Sequence, residues 1–371
     1  MKDLQPYPTW VEVDLAAIRQ NLRRIKNLTK SEVMAVVKAN AYGHGYLPVA
    51  KAAAAAGASW FGIARPRMAI AMRQSGIDAK MLILGYISPE RVQEMLQHEV
   101  SLTAWTAEQI HQISQEAEKT GKTARVHILT DTGMGRLGCH PEQTRDLLKL
   151  VENTQHVTAE GLFSHLAKAD EANHSTTLEQ EKVFRQVITD LEDHDLLPSI
   201  LHLANSAGSL VFPSAHYNLI RVGIAMYGLP PSPDVALPDG IKPALEWKSV
   251  LASIKTLPPG HGVSYGHQYF TSGSEKIGVV PLGYADGFRR VPGNHVLIQG
   301  QKVPVVGRVC MDQCMVQLDS ISNPQVGEEV ILIGSQGDQE ITADDLARTW
   351  ETINYEVTCG IGSRVPRFFK N

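Results

Sequence analysis

Eight short apolar runs alternate with amphipathic helical stretches through the first 230 residues, and β-type segments broken by glycine and proline fill the remainder. Together they predict an α/β chain, an N-terminal (β/α)8 TIM barrel followed by a C-terminal, mainly antiparallel β domain. Length agrees: 371 residues, at about 100–200 per domain, make two or three domains. The competing layout for the first part is a doubly wound open sheet.

In chain order, Asp14 caps a helix that carries Leu15, Ile18, Leu22 and Ile25 on one face. The strand candidates are 33–38, 60–64, 81–85, 101–104, 125–130, 158–163, 200–204 and 219–224. Helical patterns at 67–74, 106–120 and 179–193 lie between them, and the alanine run 52–56 reads as a tightly packed helix. Pro230, Pro231, Pro233 and Pro238 then cluster as a linker. Beyond it, strands are expected at 245–256, 276–281, 296–299, 302–318 and 329–334, with a helix at 343–350. The expected domains are 1–237 and 238–371.

Composition narrows the function. Hydrophobic residues make up 43% and charged residues 20%, which excludes a disordered chain or a collagen. Lysine plus arginine number 35 against 39 acids, net −4, so no basic field holds a nucleic-acid backbone; aromatics at 6% argue against a base-stacking surface. No run approaches the roughly 18 apolar residues of a membrane span. The start Met1-Lys2-Asp3-Leu4-Gln5-Pro6-Tyr7-Pro8 lacks a signal-peptide core. Four cysteines at 139, 310, 314 and 359, without zinc spacing, fit a reducing cytoplasm and no metal site. The expectation is a cytoplasmic protein acting on a small molecule, with neither nucleic acid nor membrane as partner.

The most informative segment is Val36-Val37-Lys38-Ala39-Asn40-Ala41-Tyr42-Gly43-His44-Gly45. Lys38 ends the first strand candidate, which in a barrel is the face where active sites lie. Poor solvation there lowers an amine's pKa and frees it for Schiff-base chemistry. The plainer reading is a strand-end lysine reaching out to water.

This segment resembles the pyridoxal-phosphate lysine motif of alanine racemases. The likeness continues through Asp131-Thr132-Gly133-Met134-Gly135-Arg136-Leu137-Gly138, Phe163-Ser164-His165-Leu166 and His202-Leu203-Ala204-Asn205-Ser206. It runs on through Arg221-Val222-Gly223-Ile224-Ala225-Met226-Tyr227-Gly228, Val263-Ser264-Tyr265-Gly266, Gly283-Tyr284-Ala285-Asp286-Gly287 and Cys310-Met311-Asp312-Gln313. Eight motifs in the family's order span essentially the whole chain.

The resemblance implies an enzyme, an alanine racemase that interconverts L- and D-alanine with pyridoxal 5'-phosphate and supplies D-alanine for peptidoglycan. It implies a homodimer with shared active sites, the barrel domain binding the cofactor and the second domain supplying a base and dimer contacts. Removing the α-proton and returning one to the opposite face needs a base on each side. By resemblance these are Lys38 and the partner subunit's Tyr265, with Arg136 assisting the phenol. A free phenol has a pKa of about 10 and needs such help near neutrality.

The implied cofactor ligands are Lys38, Tyr42, His165, Asn205, Ser206, Arg221, Gly223, Ile224 and Tyr355. The implied substrate contacts are Arg136, Tyr284, Met311 and Asp312. Arg221 takes the position that faces the pyridine nitrogen. Guanidinium only donates hydrogen bonds, so the nitrogen opposite it stays unprotonated and the ring is a weaker electron sink. That favours reprotonation over transamination. His202 resembles the residue that supports this arginine.

One position departs from the pattern. Many alanine racemases carry a lysine seven residues before the motif arginine, modified to a carbamate that holds it. Here Leu129 stands there, which leaves a bound anion, such as chloride, as the expected holder of Arg136. Three other readings of the chain are a broader racemase for serine and similar amino acids, a non-catalytic pyridoxal-phosphate carrier, and a cofactor-free aldolase. Such carriers lack the second domain, and an aldolase leaves Arg221 and Ser206 without a purpose.

Overall fold

A computed structural model describes residues 7–371. Met1–Pro6, most of the segment read above as lacking a signal-peptide core, lie outside them. The described chain divides into two compact units: residues 16–41 with 46–243, and residues up to 15 with 42–45 and 244–371.

The first unit is the barrel. Its strands are β2 (Glu32–Val36), β3 (Trp60–Ile63), β4 (Lys80–Ile83), β5 (Val100–Ala104), β6 (Ala124–Leu129), β7 (Val157–Phe163), β8 (Ile200–His202) and β9 (Leu219–Val222). Each pairs in parallel with the next from β2 to β8, and β9 pairs in parallel with β2. The ring closes where Arg221 N–H donates to the Ala204 carbonyl at 3.0 Å. Closure removes the open-sheet alternative and leaves no strand edge for another chain to pair with.

All eight strand candidates exist, within a few residues of their expected ends. They were legible because a parallel strand in a barrel is buried on both faces and so reads as an unbroken apolar run. Met34, Trp60, Leu82 and Leu219 make one buried cluster of this unit. The helix Leu15–Thr29 buries Ile18, Leu22 and Ile25, as its periodicity requires.

The proline-rich connection is anchored at its two ends. Asn21, fully buried, donates to the carbonyls of Met226 and Lys242 and accepts from Lys242 N–H. Gly228 has φ +76, and a Cβ there would lie 1.8 Å from the Lys242 carbonyl oxygen. Gly228→Ala is therefore expected to destabilise the protein by roughly 2–4 kcal/mol, combining a left-handed backbone with a backbone clash. A denaturant melt with unchanged slope reads the loss; a shift below about 0.5 kcal/mol contradicts it.

The second unit is built on a ten-stranded, mainly antiparallel sheet. Its members include β1 (Thr9–Asp14), β10 (Leu245–Val250) and the C-terminal strand Arg367–Lys370. β1 lies between these two, antiparallel to β10 and parallel to the C-terminal strand. Sequence reading took residue 14 only as a helix cap and did not find β1. Its six residues precede the helix without a break, so no turn signal marks its end.

Two longer β readings divide on inspection. Residues 245–256 form Leu245–Val250 and Ser253–Leu257, and 302–318 form Gln301–Val306 and Cys314–Gln317 with a connecting loop. Among the described residues no helix is long and apolar enough to cross a membrane.

Candidate active site

In the barrel unit the strand ends carry most of the expected site residues. Val37 N–H still bonds the Gly62 carbonyl at 3.0 Å, and Lys38 follows, half-buried. The next four residues are not extended. Ala39, Asn40, Ala41 and Tyr42 all have φ between 52 and 55, one turn of left-handed helix made without glycine. Such a conformation costs about 1–2 kcal/mol per residue, so its surroundings must hold it. Ala41 N–H bonds the Val37 carbonyl at 2.8 Å, and the Asn40 side chain accepts from Tyr46 N–H at 3.1 Å. The turn redirects the chain at once after Lys38.

Arg221, on β9, is 4% exposed. It donates to the carbonyls of His202 (2.8 Å), Ser164 (2.7 Å) and Leu203 (2.9 Å), and to Nδ1 of His202 (2.9 Å) and of His165 (3.1 Å). Every one of these partners is neutral or a carbonyl, and burial pushes the arginine's pKa down, with the Arg136 charge adding to the shift.

His165 gathers the group. Desolvation, then the charges of Arg221, Arg136 and Lys38, hold its pKa well below the ordinary value. Three cations thus act on one neutral imidazole. Beside β9, Gly223 N–H donates to Ser206 Oγ at 2.9 Å, which brings two of the expected phosphate ligands together. The Asn205 side chain is engaged locally: it caps the helix Ser206–Val211 by accepting from Gly208 N–H and donates to the Leu166 carbonyl. Ile224 opens the short turn that follows Gly223.

Two residues missed in the sequence organise this region. Asp131 accepts from the amides of Gly133, Met134 and Gly135 and so shapes the loop that presents Arg136. Gln180, 2% exposed, donates to the His165 carbonyl and Thr132 Oγ1 and accepts from Ala167 N–H. An acid followed by glycines could have signalled the first. Nothing in the helix pattern marked the second, since a buried glutamine differs from its exposed neighbours only by where its face points. Leu129 is buried at the end of β6, and Arg136 is exposed.

In the other unit, Tyr42 and Tyr355 lie together with ring centroids 6.0 Å apart. Gly43, with φ +86, lets the chain pass; a Cβ there would sit 2.0 Å from the Thr358 carbonyl oxygen. Tyr265 is 68% exposed at the tip of a small hairpin, between Ser264 (φ 63) and Gly266 (φ 69). Ser264 Oγ donates to the Arg308 carbonyl at 2.6 Å and so pins the strained residue.

Tyr284 and Met311 sit on two segments zipped by Tyr284 N–H to the Cys310 carbonyl and Ala285 N–H to the Met311 carbonyl. Asp312 accepts from Arg364 at 2.6 Å, and Arg364 also meets Asp286 at 2.9 Å. Tyr284, Met311 and Asp312 came from two sequence motifs, and the second unit draws the two side by side.

The barrel assembly has the features of a binding site for an anionic, carbonyl-bearing molecule. It offers a primary amine, buried donors, and in Arg221 a buried cation hydrogen-bonded to carbonyls and imidazoles.

Comparisons with known proteins bear on the family of the chain. Residues 13–231 match the family model for the alanine racemase N-terminal domain and residues 244–369 that for the C-terminal domain. An alanine racemase of Symbiobacterium thermophilum is 45% identical over 365 residues, covering 98% of this chain and 97% of its own. The solved structure of an alanine racemase from Bacillus anthracis with bound L-Ala-P superposes with a TM-score of 0.92 at 40% identity, covering 99% of this chain and 96% of that one. A histidine racemase from Leuconostoc mesenteroides superposes at 0.91 with 29% identity, covering 99% of each. Matched from end to end in both sequence and fold, the chain belongs to the alanine racemase family.

Proposed function

We propose that the protein interconverts L- and D-alanine with pyridoxal 5'-phosphate, using Lys38 and Tyr265 as the two bases, and that it works as a homodimer. The observation that carries this is Arg221, buried on β9 and hydrogen-bonded to His202 and His165, with Lys38 following β2, the strand paired with β9, and the Ser206 hydroxyl bonded to the Gly223 amide just after β9. A cationic setting with small donors and an amine suits a phosphorylated aldehyde, and a second cation remains for a substrate carboxylate.

Bound pyridoxal phosphate supplies an electron sink for the charge left when the α-proton departs. The rest is work for the chain. Ser206, Gly223, Ile224, Tyr42 and Tyr355 are assigned to the phosphate, and His165 and Asn205 to the ring surroundings. Arg221 is assigned to the ring nitrogen. Being donor-only, it keeps that nitrogen unprotonated, which limits the sink and favours return of the proton. Arg136 holds the substrate carboxylate and assists the phenol.

From D-alanine, Lys38 Nζ takes the α-proton and Tyr265 Oη delivers one to the opposite face; from L-alanine the two exchange tasks, Tyr265 Oη taking the proton and Lys38 Nζ delivering one. The division of labour follows: residues 1–237 supply all the assigned cofactor ligands but Tyr355, and 238–371 bring Tyr265, with Tyr284, Met311 and Asp312, to the partner subunit's substrate. Exposed Tyr265, Tyr284 and Met311 support a covering partner surface. A cytoplasmic location and supply of D-alanine to peptidoglycan belong to the same proposal.

The test is a solvent-deuterium exchange assay with paired L- and D-amino acids. Alanine should exchange fastest from both enantiomers, with serine slower by about 10–100-fold. Because a relative of this fold is a histidine racemase, histidine belongs in the panel. Faster exchange of histidine, or none of alanine, would sink the reading. Repeating the assay with and without chloride tests the anion expected at Arg136; indifference to chloride removes it.

A further inference from the structure

We propose that Glu160 is a positioning residue: through His127 and His202 it fixes which nitrogen of each ring carries a proton, and so holds the Arg221 guanidinium in one orientation. The four side chains form a line in the barrel unit. Arg221 Nη1 lies 2.9 Å from His202 Nδ1, His202 Nε2 lies 2.9 Å from His127 Nδ1, and His127 Nε2 lies 3.4 Å from Glu160 Oε2.

Proton placement in this line follows from one fact. Arginine has no acceptor, so His202 Nδ1 must accept, and the proton of that ring sits on Nε2. His202 then donates to His127 Nδ1, which leaves the His127 proton on Nε2, directed at the Glu160 carboxylate. Reversing either ring would set two N–H donors face to face at 2.9 Å. A charged form of His127 meets the same conflict, because its Nδ1–H would oppose the His202 N–H.

The surroundings agree with two neutral rings. Both histidines are fully buried, and burial pushes their pKa values down, that of His202 well down. Burial opposes ionisation of Glu160 too, yet hydrogen bonds from His127 and Ser101 and the nearby Lys80 hold it ionised, at about 2. The line therefore ends on a carboxylate, itself anchored by Lys80 Nζ at 3.2 Å and by the Ser101 hydroxyl.

The fold makes room for this line. The pairing of β6 with β7 shifts register between Val126 and His127. Gly161, next to Glu160, faces the ring so closely that a Cβ there would lie 2.3 Å from His127 Nδ1. Phe163 stacks on His202 at 4.5 Å and Trp60 meets His127 edge-on at 5.2 Å, so neither ring can turn freely. Among the described residues Arg221 hydrogen-bonds to carbonyls and imidazoles only, and its link to a carboxylate is this relay.

The inference rests on the proposed role of Arg221 for its catalytic consequence, and the test separates the two. Long-range 1H–15N spectra of the histidine-labelled holoenzyme should show two rings as the Nε2–H tautomer, unchanged over about pH 6–9. His127→Phe identifies the pair by deleting one signal and moving the other. In Glu160→Gln, the His202 signal should move toward mixed tautomers, and kcat should fall about 10-fold with KM within about 2-fold.

A merely structural Glu160 would lower the melting temperature and leave the His202 signal in place, which overturns the proposal. So would an Nδ1–H or charged His202 in the unmutated protein, a measurement that needs no variant to fold. If Arg221→Lys leaves absorbance and kcat unchanged, the proposed role of Arg221 fails, while the ring pattern still decides the relay.

Discussion

Lys38→Ala is expected to purify without the visible absorbance of the unmutated protein and to lose racemisation by at least about 10⁴-fold. The loss is large because the proposed function gives Lys38 two tasks, as the amine that tethers the cofactor and as the base for the D-enantiomer. Among the described residues, Arg221, Arg136 and Lys38 are the cations that act on the His165 ring, and Lys38 is the lysine of that group. Arginine cannot substitute in either task, since it does not lose its proton. A variant that kept a borohydride-reducible chromophore would defeat the assignment. Added methylamine offers a further check. Partial return of D-alanine exchange would show that the missing amine, and not a collapsed turn, caused the loss.

Tyr265→Ala should keep the absorbance and split the two directions apart. Exchange of the L-alanine α-proton is expected to slow by about 10²–10⁴-fold, the usual contribution of a positioned base. Exchange of D-alanine, begun by Lys38, should change far less. The side chain is 68% exposed, so its removal leaves no buried cavity, and the melting temperature should hardly move. Equal slowing of both enantiomers would argue against a division between two bases. The sharp local backbone, with Ser264 at φ 63 pinned to the Arg308 carbonyl, means that Ser264→Ala should mimic part of the Tyr265 effect by loosening the hairpin tip.

The barrel was legible because its signal is redundant. Each strand is short, apolar and bounded by turn residues, and eight of them recur with helices between. A misjudged end of one or two residues, as where 200–204 resolves to Ile200–His202, changes nothing about the count. Segments without that redundancy were missed. The hairpin Gly262–Val263 with Tyr269–Phe270 has two residues per strand, too few to show an alternation. β1 has six, but its pairing partners lie more than 200 residues away, at Leu245–Val250 and Arg367–Lys370. The helix Asn354–Gly360, which carries Tyr355, is seven residues long and gives no stripe to read.

The site divides in the same way. Lys38, Arg136, Ser206, Arg221 and Tyr265 stand in dense local motifs whose residue types already declare amine, cation, donor and phenol. Asp131 lies inside one of those motifs, yet its work on three amides is a matter of loop geometry. Gln180, His127 and Glu160 lie outside every motif that pointed to chemistry, and each acts through a neighbour distant in sequence.

Side-chain chemistry is local, so residue types alone established a two-part α/β chain and its barrel, and pointed to the amine and phenol that the proposed function uses for proton transfer. Direction and protonation are not local. The Ala39–Tyr42 segment contains no glycine, yet it takes a left-handed turn that the folded chain imposes against an intrinsic preference. The proton positions on His127 and His202 follow only once Arg221 and Glu160 stand at the two ends of one line. Chain order set neither, because both depend on which distant groups close packing brings within about 3 Å.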